Sequence, residues 1–355
     1  MSWKNLAQTS LGDALVKHHE ALEELDGIDR LIDWKAIGKL MAGIHAKKQG
    51  EAAWPPLLMF KALLLQSWYG LSDPGLEKPL ARDLMFRRFI KLGLGEGVPD
   101  HSTIWRFRNT LTQQGLLDTL LSEANQQLSA KGLYTKTGEV SIVDATVIEA
   151  KQSRPRKGKD GGNTQDSEAG YDVKVAANGK KTGTYGYKAH VNVDEGGFIK
   201  AIGYTPGNEH DSHALEKLLP RTEEQVYADK AYASAEHDRP LAKRNAGNRI
   251  LHKAKRNQPL SDRQKQQNRQ WSSIRSTVER VFGVLKQHYC LAKARYLGLE
   301  RNQARFMLAA MAYNIKRGVA VRPGCWRLQD NSAQCSENGE KRPSVHEKWS
   351  NNCVS

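Results

Sequence analysis

Cysteine is scarce in this sequence of 355 residues and forms no metal-binding pattern. The four cysteines contain no CxxC pair, and three of them lie within the last 31 residues. Structural zinc sites and disulfide frameworks need cysteines at close and repeated spacing. Both are therefore excluded as organising features, and we expect reduced thiols without a functional role.

Long apolar runs are also absent, since no stretch of eighteen or more apolar residues occurs. The most apolar stretch, residues 57–71, is interrupted by Lys61 and predicts a buried helix rather than a membrane span. The first thirteen residues lack the basic-then-apolar order of a signal peptide. We therefore expect a cytoplasmic protein without membrane contact.

Acidic residues are too few to balance the basic ones. The chain has 39 Asp and Glu residues and 54 Lys and Arg residues, so its formal net charge is +15. The surplus is concentrated in residues 251–301, which hold twelve basic and three acidic residues. A surplus in one segment favours a polyanionic partner, since each phosphate contact releases counterions from nucleic acid. The alternative is a soluble basic protein with no such partner.

The pattern of the chain changes after residue 132. Residues 1–132 contain short helical patterns, which suit either DNA binding or the building of a dimer or scaffold, and no helix-turn-helix signature decides between them. Residues 133–322 alternate strand and helix patterns, which predicts a mixed sheet with helices on both faces. Within them, residues 151–184 include a basic, glycine-rich loop, and the tail 323–355 is predicted to be disordered.

Local signals refine this outline. Ser102 or Thr103 is the predicted cap of one helix, and Asp211 or Ser212 is the predicted cap of a later one. Residues 256–270 are predicted to be a basic linker, followed by an amphipathic helix. At about 100° per residue, the apolar stripe of that helix is formed by Val278, Phe282, Leu285 and Tyr289.

Three carboxylates lie in unusual places for a basic protein. Asp144 falls in the middle of a predicted strand, where it must be paired, metal-bound or perturbed, unless it caps a turn. Asp229 ends a second strand, where α/β sheets build sites, or it is a helix-entry residue. Glu279 borders the apolar stripe with Arg275 and Lys286 one and two turns away, and a surface salt bridge to either is the alternative.

Taken together, the three acids suit a site for a hard cation. Mg²⁺ takes carboxylate oxygens and retains waters. Two such ions about 4 Å apart can activate an attacking hydroxyl and stabilise the leaving oxygen of a phosphodiester. The hypothesis is that Glu279 is buried beside the stripe because it faces metal, while Arg275 and Lys286 hold phosphates.

Several longer motifs point to one family. The sequence resembles the DDE transposases of bacterial insertion sequences, specifically the insertion sequence 5 group. The likeness covers most of the chain and no single motif carries it. The motifs are PPLLMFKALLLQSWYGLSD, DHSTIWRFRNTL, VDATVIEA, YGYKAHVNVDE, PGNEHDSHAL, VYADKAYAS, RSTVERVFGVLK and RYLGLERNQARFMLAAMAYNIKR.

The resemblance implies a ribonuclease H-like mixed sheet flanked by helices and preceded by an all-helical N-terminal domain. It also implies that Asp144, Asp229 and Glu279 are catalytic ligands of Mg²⁺, with Mn²⁺ as a substitute. Arg275 and Lys286 stand at the spacing of a family signature around the glutamate. The tyrosine of that signature is replaced by Ser272, beside Trp271.

The implied function is metal-dependent cleavage at the ends of an insertion sequence, followed by strand transfer into target DNA. The implied partners are terminal inverted repeats and target DNA, bound by a homodimer or larger assembly. Tyr187, Lys188 and His190 are weaker candidates for DNA contact. The alternatives are a structure-specific nuclease of the same fold, a transposase-derived DNA-binding protein without activity, and a basic scaffold protein.

Overall fold

The computed structural model describes residues 3–4, 19–44, 52–133, 140–152, 166–175, 179–219, 223–233, 241–243, 246–254 and 258–321. The chain divides into two compact units, one formed by residues 1–133 with 308–355 and the other by residues 134–307. The predicted tail 323–355 lies outside the described residues, as do residues 153–165 of the predicted basic loop.

The first unit is helical, as the sequence predicts. Its helices are α1 Asp26–Leu31, α2 Trp34–Leu40, α3 Pro56–Trp68, α4 Asp73–Arg82, α5 Leu84–Ile90, α6 His101–Gln113 and α7 Leu116–Ala130, with a 3-10 turn at Glu20–Glu23. The predicted cap at Ser102 or Thr103 is wrong, because the Asp100 side chain accepts the Thr103 N–H. Gly115 then adopts a φ of 64° and separates α6 from α7.

Helix α3 confirms the prediction of a buried helix over residues 57–71, since nearly all of its side chains are buried. Lys61 is buried among them because its charge is compensated. Its Nζ lies 2.6 Å from Asp29 Oδ1 and donates to the Phe89 carbonyl at 3.1 Å. No helix in the described part of the chain is long and apolar enough to cross a bilayer.

The second unit contains a six-stranded sheet. Its strands are β1 Val140–Glu149, β2 Gly170–Val175, β3 Lys181–Val193, β4 Ile199–Pro206, β5 Gln225–Ala228 and β6 Gly247–Ile250. Strand β3 pairs antiparallel with β1, β2 and β4, whereas β1 pairs parallel with β5, and β5 parallel with β6. Strands β4, β3 and β1 are antiparallel, β5 and β6 continue the sheet parallel to β1, and β2 pairs with the first half of β3. This mixed order is that of a ribonuclease H-like sheet, so the predicted fold class is confirmed.

Helices cover both faces of this sheet. They are α8 Leu215–Leu218 and α9 Asp262–His288, and a further helix, α10 Leu299–Val321, begins in this unit. Val143 packs in one apolar cluster with Leu215 and Leu218 of α8, while its neighbour Asp144 contacts Arg275 of α9. Because successive strand residues point to opposite faces, α8 and α9 lie on opposite sides of β1.

Helix α9 starts earlier than predicted. Residues 262–270, predicted to be linker, form its first turns, because Ser261 and Gln264 make a reciprocal capping box. The predicted apolar stripe is confirmed, since Val278, Phe282, Leu285 and Tyr289 are all buried. Strand β2 and the start of β3 also lie within residues 151–184, where the sequence predicts only a loop.

Helix α10 begins in the second unit, and its residues from Leu308 onward belong to the first. Within the helical unit, Trp68 Nε1 donates to the Ala312 carbonyl at 2.8 Å. Asn314 Nδ2 donates to Asn125 Oδ1 at 2.8 Å, and both amides are buried. The helical unit therefore includes a segment nearly two hundred residues away along the chain from α7.

Candidate active site

The structure brings Asp144 and Asp229 together. Strands β1 and β5 run parallel with Val143 opposite Ala228, so the two aspartates follow paired positions at the carboxyl end of β5. Asp144 remains inside β1, opposite Val191 of β3. Asp229 leaves β5 in an extended conformation just before the 3-10 turn Lys230–Tyr232.

One guanidinium lies against both carboxylates. Arg275 reaches from α9, and its Nη2 donates to Asp144 Oδ2 at 3.0 Å. Its Nη1 lies 3.7 Å from Asp229 Oδ1, close enough for an ion pair but long for a hydrogen bond. The other oxygen of Asp144, Oδ1, accepts the Ala145 N–H at 2.9 Å. Arg275 is therefore held at the acid pair, 131 residues from Asp144 along the chain.

Burial raises the pKa of the Asp144 carboxyl, and the nearby Asp229 carboxylate raises that pKa further. The Arg275 guanidinium and the Ala145 N–H oppose this effect, but they do not outweigh it. Among the described residues, Arg275 is the one cation paired with these two carboxylates, so the pair is short of cationic charge. Such a site favours an additional cation.

Glu279 lies one turn after Arg275 on α9, and the prediction that it is buried is wrong, because the structure leaves it exposed. The placement of α9 against the sheet leaves this border position on the solvent side. It makes no salt bridge to Arg275, since that guanidinium is directed to the aspartates. Among the described residues, no three His, Cys, Asp or Glu side chains are close enough to form a metal site.

The aspartate pair nevertheless fits a divalent cation. Its donors are hard carboxylate oxygens, adjacent and short of positive charge, which Mg²⁺ prefers. Mg²⁺ is commonly bound through one or two carboxylates, with waters and substrate phosphates completing its shell. Asp144 and Asp229 can therefore hold such an ion without a third protein ligand.

Two of the weaker DNA-contact candidates are fully buried in the sheet. The Tyr187 hydroxyl donates to Asp166 Oδ1 at 2.6 Å, and His190 Nε2 bonds Thr205 Oγ1 at 2.8 Å. Both residues lie on β3, which is flanked by β1 and β4 in this part of the sheet. A role of Tyr187 and His190 in DNA binding stays a prediction. Their burial does not support it, because neither side chain is exposed.

The third weaker candidate, Lys188, is also buried, in an ion-pair cluster. Its Nζ lies 3.1 Å from Asp172 and 3.0 Å from Asp211. Burial lowers the pKa of Lys188, but the two carboxylates outweigh it and raise the pKa overall. The predicted capping role of Asp211 or Ser212 is wrong, because the His210 side chain accepts the Ser212 N–H instead.

The other signature positions divide between surface and interior. Ser272, at the family tyrosine position, is exposed, and Lys286 is half-buried. Trp271 is buried, with its ring 5.0 Å from that of His252 and the Arg249 guanidinium 5.7 Å from its centre. Trp271 therefore packs inside the second unit.

Tyr232 is a buried residue for which no sequence pattern predicted a role. Its hydroxyl is buried and has no hydrogen-bond partner among the described residues. Burial raises the pKa of Tyr232, and the charges of Asp211 and Asp144 raise it further. The one available signal was its position, three residues after Asp229.

Two acids beside the carboxyl end of β5 lie where α/β sheets build their sites, and carboxylates that can hold a divalent cation suit an enzyme acting on phosphodiester bonds. The family model described as "Transposase DDE domain" matches residues 135–315, and "Transposase domain (DUF772)" matches residues 11–110. The chain belongs to the DDE transposases. It is therefore an enzyme of DNA transposition, a class that acts on DNA and uses divalent metal ions.

One relative is the transposase for insertion sequence element IS1106 of Neisseria meningitidis serogroup B. It is 37% identical over 225 residues, which cover 60% of this chain and 77% of that protein. Among solved structures, a pre-cleavage Mos1 transpososome aligns with 81% of this chain and 85% of its own. The two chains are 10% identical, and the TM-score of the alignment is 0.18.

Proposed function

We propose that this transposase cleaves DNA at the ends of its insertion sequence and joins the freed ends to target DNA. We further propose Mg²⁺ as its ion, with Mn²⁺ as a substitute, Asp144 and Asp229 as ligands that can hold it by themselves, and the exposed Glu279 as a third ligand. The observation that carries the proposal is the meeting of Asp144 and Asp229 at one guanidinium. The ion that these residues would hold would supply Lewis-acid polarisation of the phosphate and activation of the attacking oxygen.

The protein's own residues act by position and charge. The β1–β3 pairing and the Ala145 N–H hold Asp144, while Asp229 is fixed at the end of β5, between β1 and β6. Phosphoryl transfer asks for little covalent chemistry from the protein, so alignment and electrostatics carry the rate. Arg275 and Lys286, on the same helix as Glu279, are the proposed phosphate contacts.

DNA recognition is proposed to divide between the two units. The helical unit would bind the terminal inverted repeats, and the basic segment 251–301 would follow target or flanking DNA. Joining two ends at one target favours a homodimer or a larger assembly on DNA. We propose that it works in the bacterial cytoplasm, in association with the nucleoid.

A strand-transfer assay with labelled element ends and Mg²⁺ or Mn²⁺ tests this proposal. We expect Asp144→Asn to bind the ends and to yield no joined product. Equal product from the variant and the wild type would contradict the assignment. Cleaved but unjoined ends from the wild type would favour the structure-specific nuclease, and binding without cleavage would favour a DNA-binding protein without activity.

The same assay with Glu279→Gln tests the third ligand. Because Glu279 is exposed, we expect the melting temperature to be unchanged while the product is lost. Glu216→Gln, which alters an exposed acid on α8, is the matched control and should keep full activity. Full activity of Glu279→Gln would remove Glu279 from the site and leave the aspartate pair.

A further inference from the structure

The guanidinium of Arg275 is held in an incomplete way. It lies between two carboxylates instead of forming a bidentate pair with one of them. Of its two contacts, only the one with Asp144 has the length of a hydrogen bond. Its Nε is buried and lacks a hydrogen-bond partner among the described residues. A permanent structural arginine usually satisfies its buried N–H groups. Arg275 therefore compensates charge at the acid pair without a complete set of bonds.

The atoms that Arg275 uses are those that a cation would need. Asp144 Oδ1 is engaged by the Ala145 N–H, which leaves Oδ2 facing Arg275. Asp229 likewise turns Oδ1 toward the guanidinium. An ion held through Asp144 Oδ2 and Asp229 Oδ1 therefore competes with Arg275 for the same oxygens.

We propose that Arg275 is the counter-ion of the aspartate pair in the metal-free chain and that a divalent cation must displace it. Arg275 is thus a positioning residue, which keeps two neighbouring carboxylates from repelling each other until the ion arrives. The displaced guanidinium is then available to a phosphate, so metal binding and DNA binding are coupled through this side chain. The inference rests on the proposed metal site and assigns Arg275 a role before any DNA is bound.

The test measures thermal unfolding of the DNA-free protein during a titration with Mg²⁺, for the wild type and for Arg275→Met. Without metal, we expect the variant to melt lower, by on the order of a few degrees, because the carboxylates lose their counter-ion. With metal, we expect the melting temperature of the variant to rise more than that of the wild type. We also expect its Mg²⁺ dissociation constant to be lower than the wild-type value by about fivefold or more, which is the size of effect typical of two coupled binding events.

Two further variants make the result specific. Arg280→Met removes an exposed arginine of the same helix, whose guanidinium bonds Thr277 Oγ1 at 3.1 Å, and should change neither quantity. Arg275→Lys keeps one positive charge and should restore part of the metal-free stability and weaken Mg²⁺ binding toward the wild-type value. If Arg275→Met does not fold, the comparison of Arg275→Lys with the wild type carries the test, and the lysine is expected to yield to Mg²⁺ more readily.

Mg²⁺ binding that is equal or weaker in the Arg275 variants would overturn the inference, since Arg275 would then assist the ion or be indifferent to it. The same result combined with loss of strand transfer in Asp144→Asn would leave the proposed function standing. If Mg²⁺ changes the melting temperature of neither the wild type nor Arg275→Met, the inference fails together with the metal-binding role of the aspartate pair.

Discussion

Some buried polar side chains in the second unit have hydrogen-bond partners for only part of their polar atoms, and His190 is one of them. Its imidazole is fully buried on β3, with Nε2 bonded to Thr205, and Nδ1 has no hydrogen-bond partner among the described residues. Burial lowers the pKa of His190 to about 4. Asp211 and Glu209 oppose this shift, and Lys188 adds to it.

The lowered pKa of His190 predicts a loss of stability in acid. An unfolded histidine has a pKa of about 6.5, so the unfolded chain binds this proton more readily than the folded chain between about pH 6.5 and 4. The stability from neutral His190 is therefore complete above about pH 6.5 and lost as the pH falls toward 4, by on the order of 3 kcal/mol at most. We expect His190→Gln to flatten the fall in melting temperature across pH 7, 6 and 5.

His288→Gln, which alters an exposed histidine at the end of α9, serves as the control for that measurement. It should keep the acid dependence of the wild type. An identical dependence in His190→Gln would show that other groups control acid stability.

At the scale of elements, the pairing of β1 with β3 depends on a glycine. A Cβ atom added at Gly186 would lie 2.0 Å from the Ile148 carbonyl oxygen and 2.8 Å from the Ala150 nitrogen, both backbone atoms. The same strand pairing positions Asp144, so a disturbance at Gly186 reaches the acid pair through β1.

We expect Gly186→Ala to destabilise the protein by more than ~2 kcal/mol, because backbone atoms cannot move aside without breaking the ladder. Urea unfolding measures the change. Gly183→Ala on the same strand is the matched control, since its Cβ would meet Tyr171 at an ordinary 3.6 Å. Similar stability of the two variants would mean that β1 and β3 shift easily and that the sheet does not hold Asp144 firmly.

At the scale of the whole molecule, the net charge of +15 is expected to strengthen DNA binding as a sum of individual phosphate contacts. Lys286→Ala is expected to weaken binding of element ends and to reduce the slope of log affinity against log salt by about one unit for one lost contact. The slope is measured by titrating DNA at several salt concentrations between roughly 50 and 200 mM.

Lys217→Ala is the reference for that titration, because Lys217 is exposed on α8, across the sheet from α9. An equal fall in slope for both variants would indicate a general effect of charge. An unchanged slope in Lys286→Ala would exclude Lys286 as a phosphate contact.

The sequence by itself predicted the elements whose signals are local. The apolar stripe of α9, the buried helix α3 and the mixed sheet follow from residue periodicity, which reports which face of an element is covered. Its motifs were also enough to indicate the transposase family. Capping was less predictable, because several neighbouring polar residues compete for one helix end, as Asp100 and Ser102 do.

Only the tertiary structure decided which side chains meet. The contact of Arg275 with Asp144 spans 131 residues, and α10 joins α7 across nearly two hundred. Periodicity assigned Glu279 to the border of a buried stripe, but whether a border position is covered depends on where α9 lies against the sheet. Packing between elements that are distant along the chain sets that placement. As a result, Glu279 is exposed and the Arg275 guanidinium contacts Asp144 and Asp229.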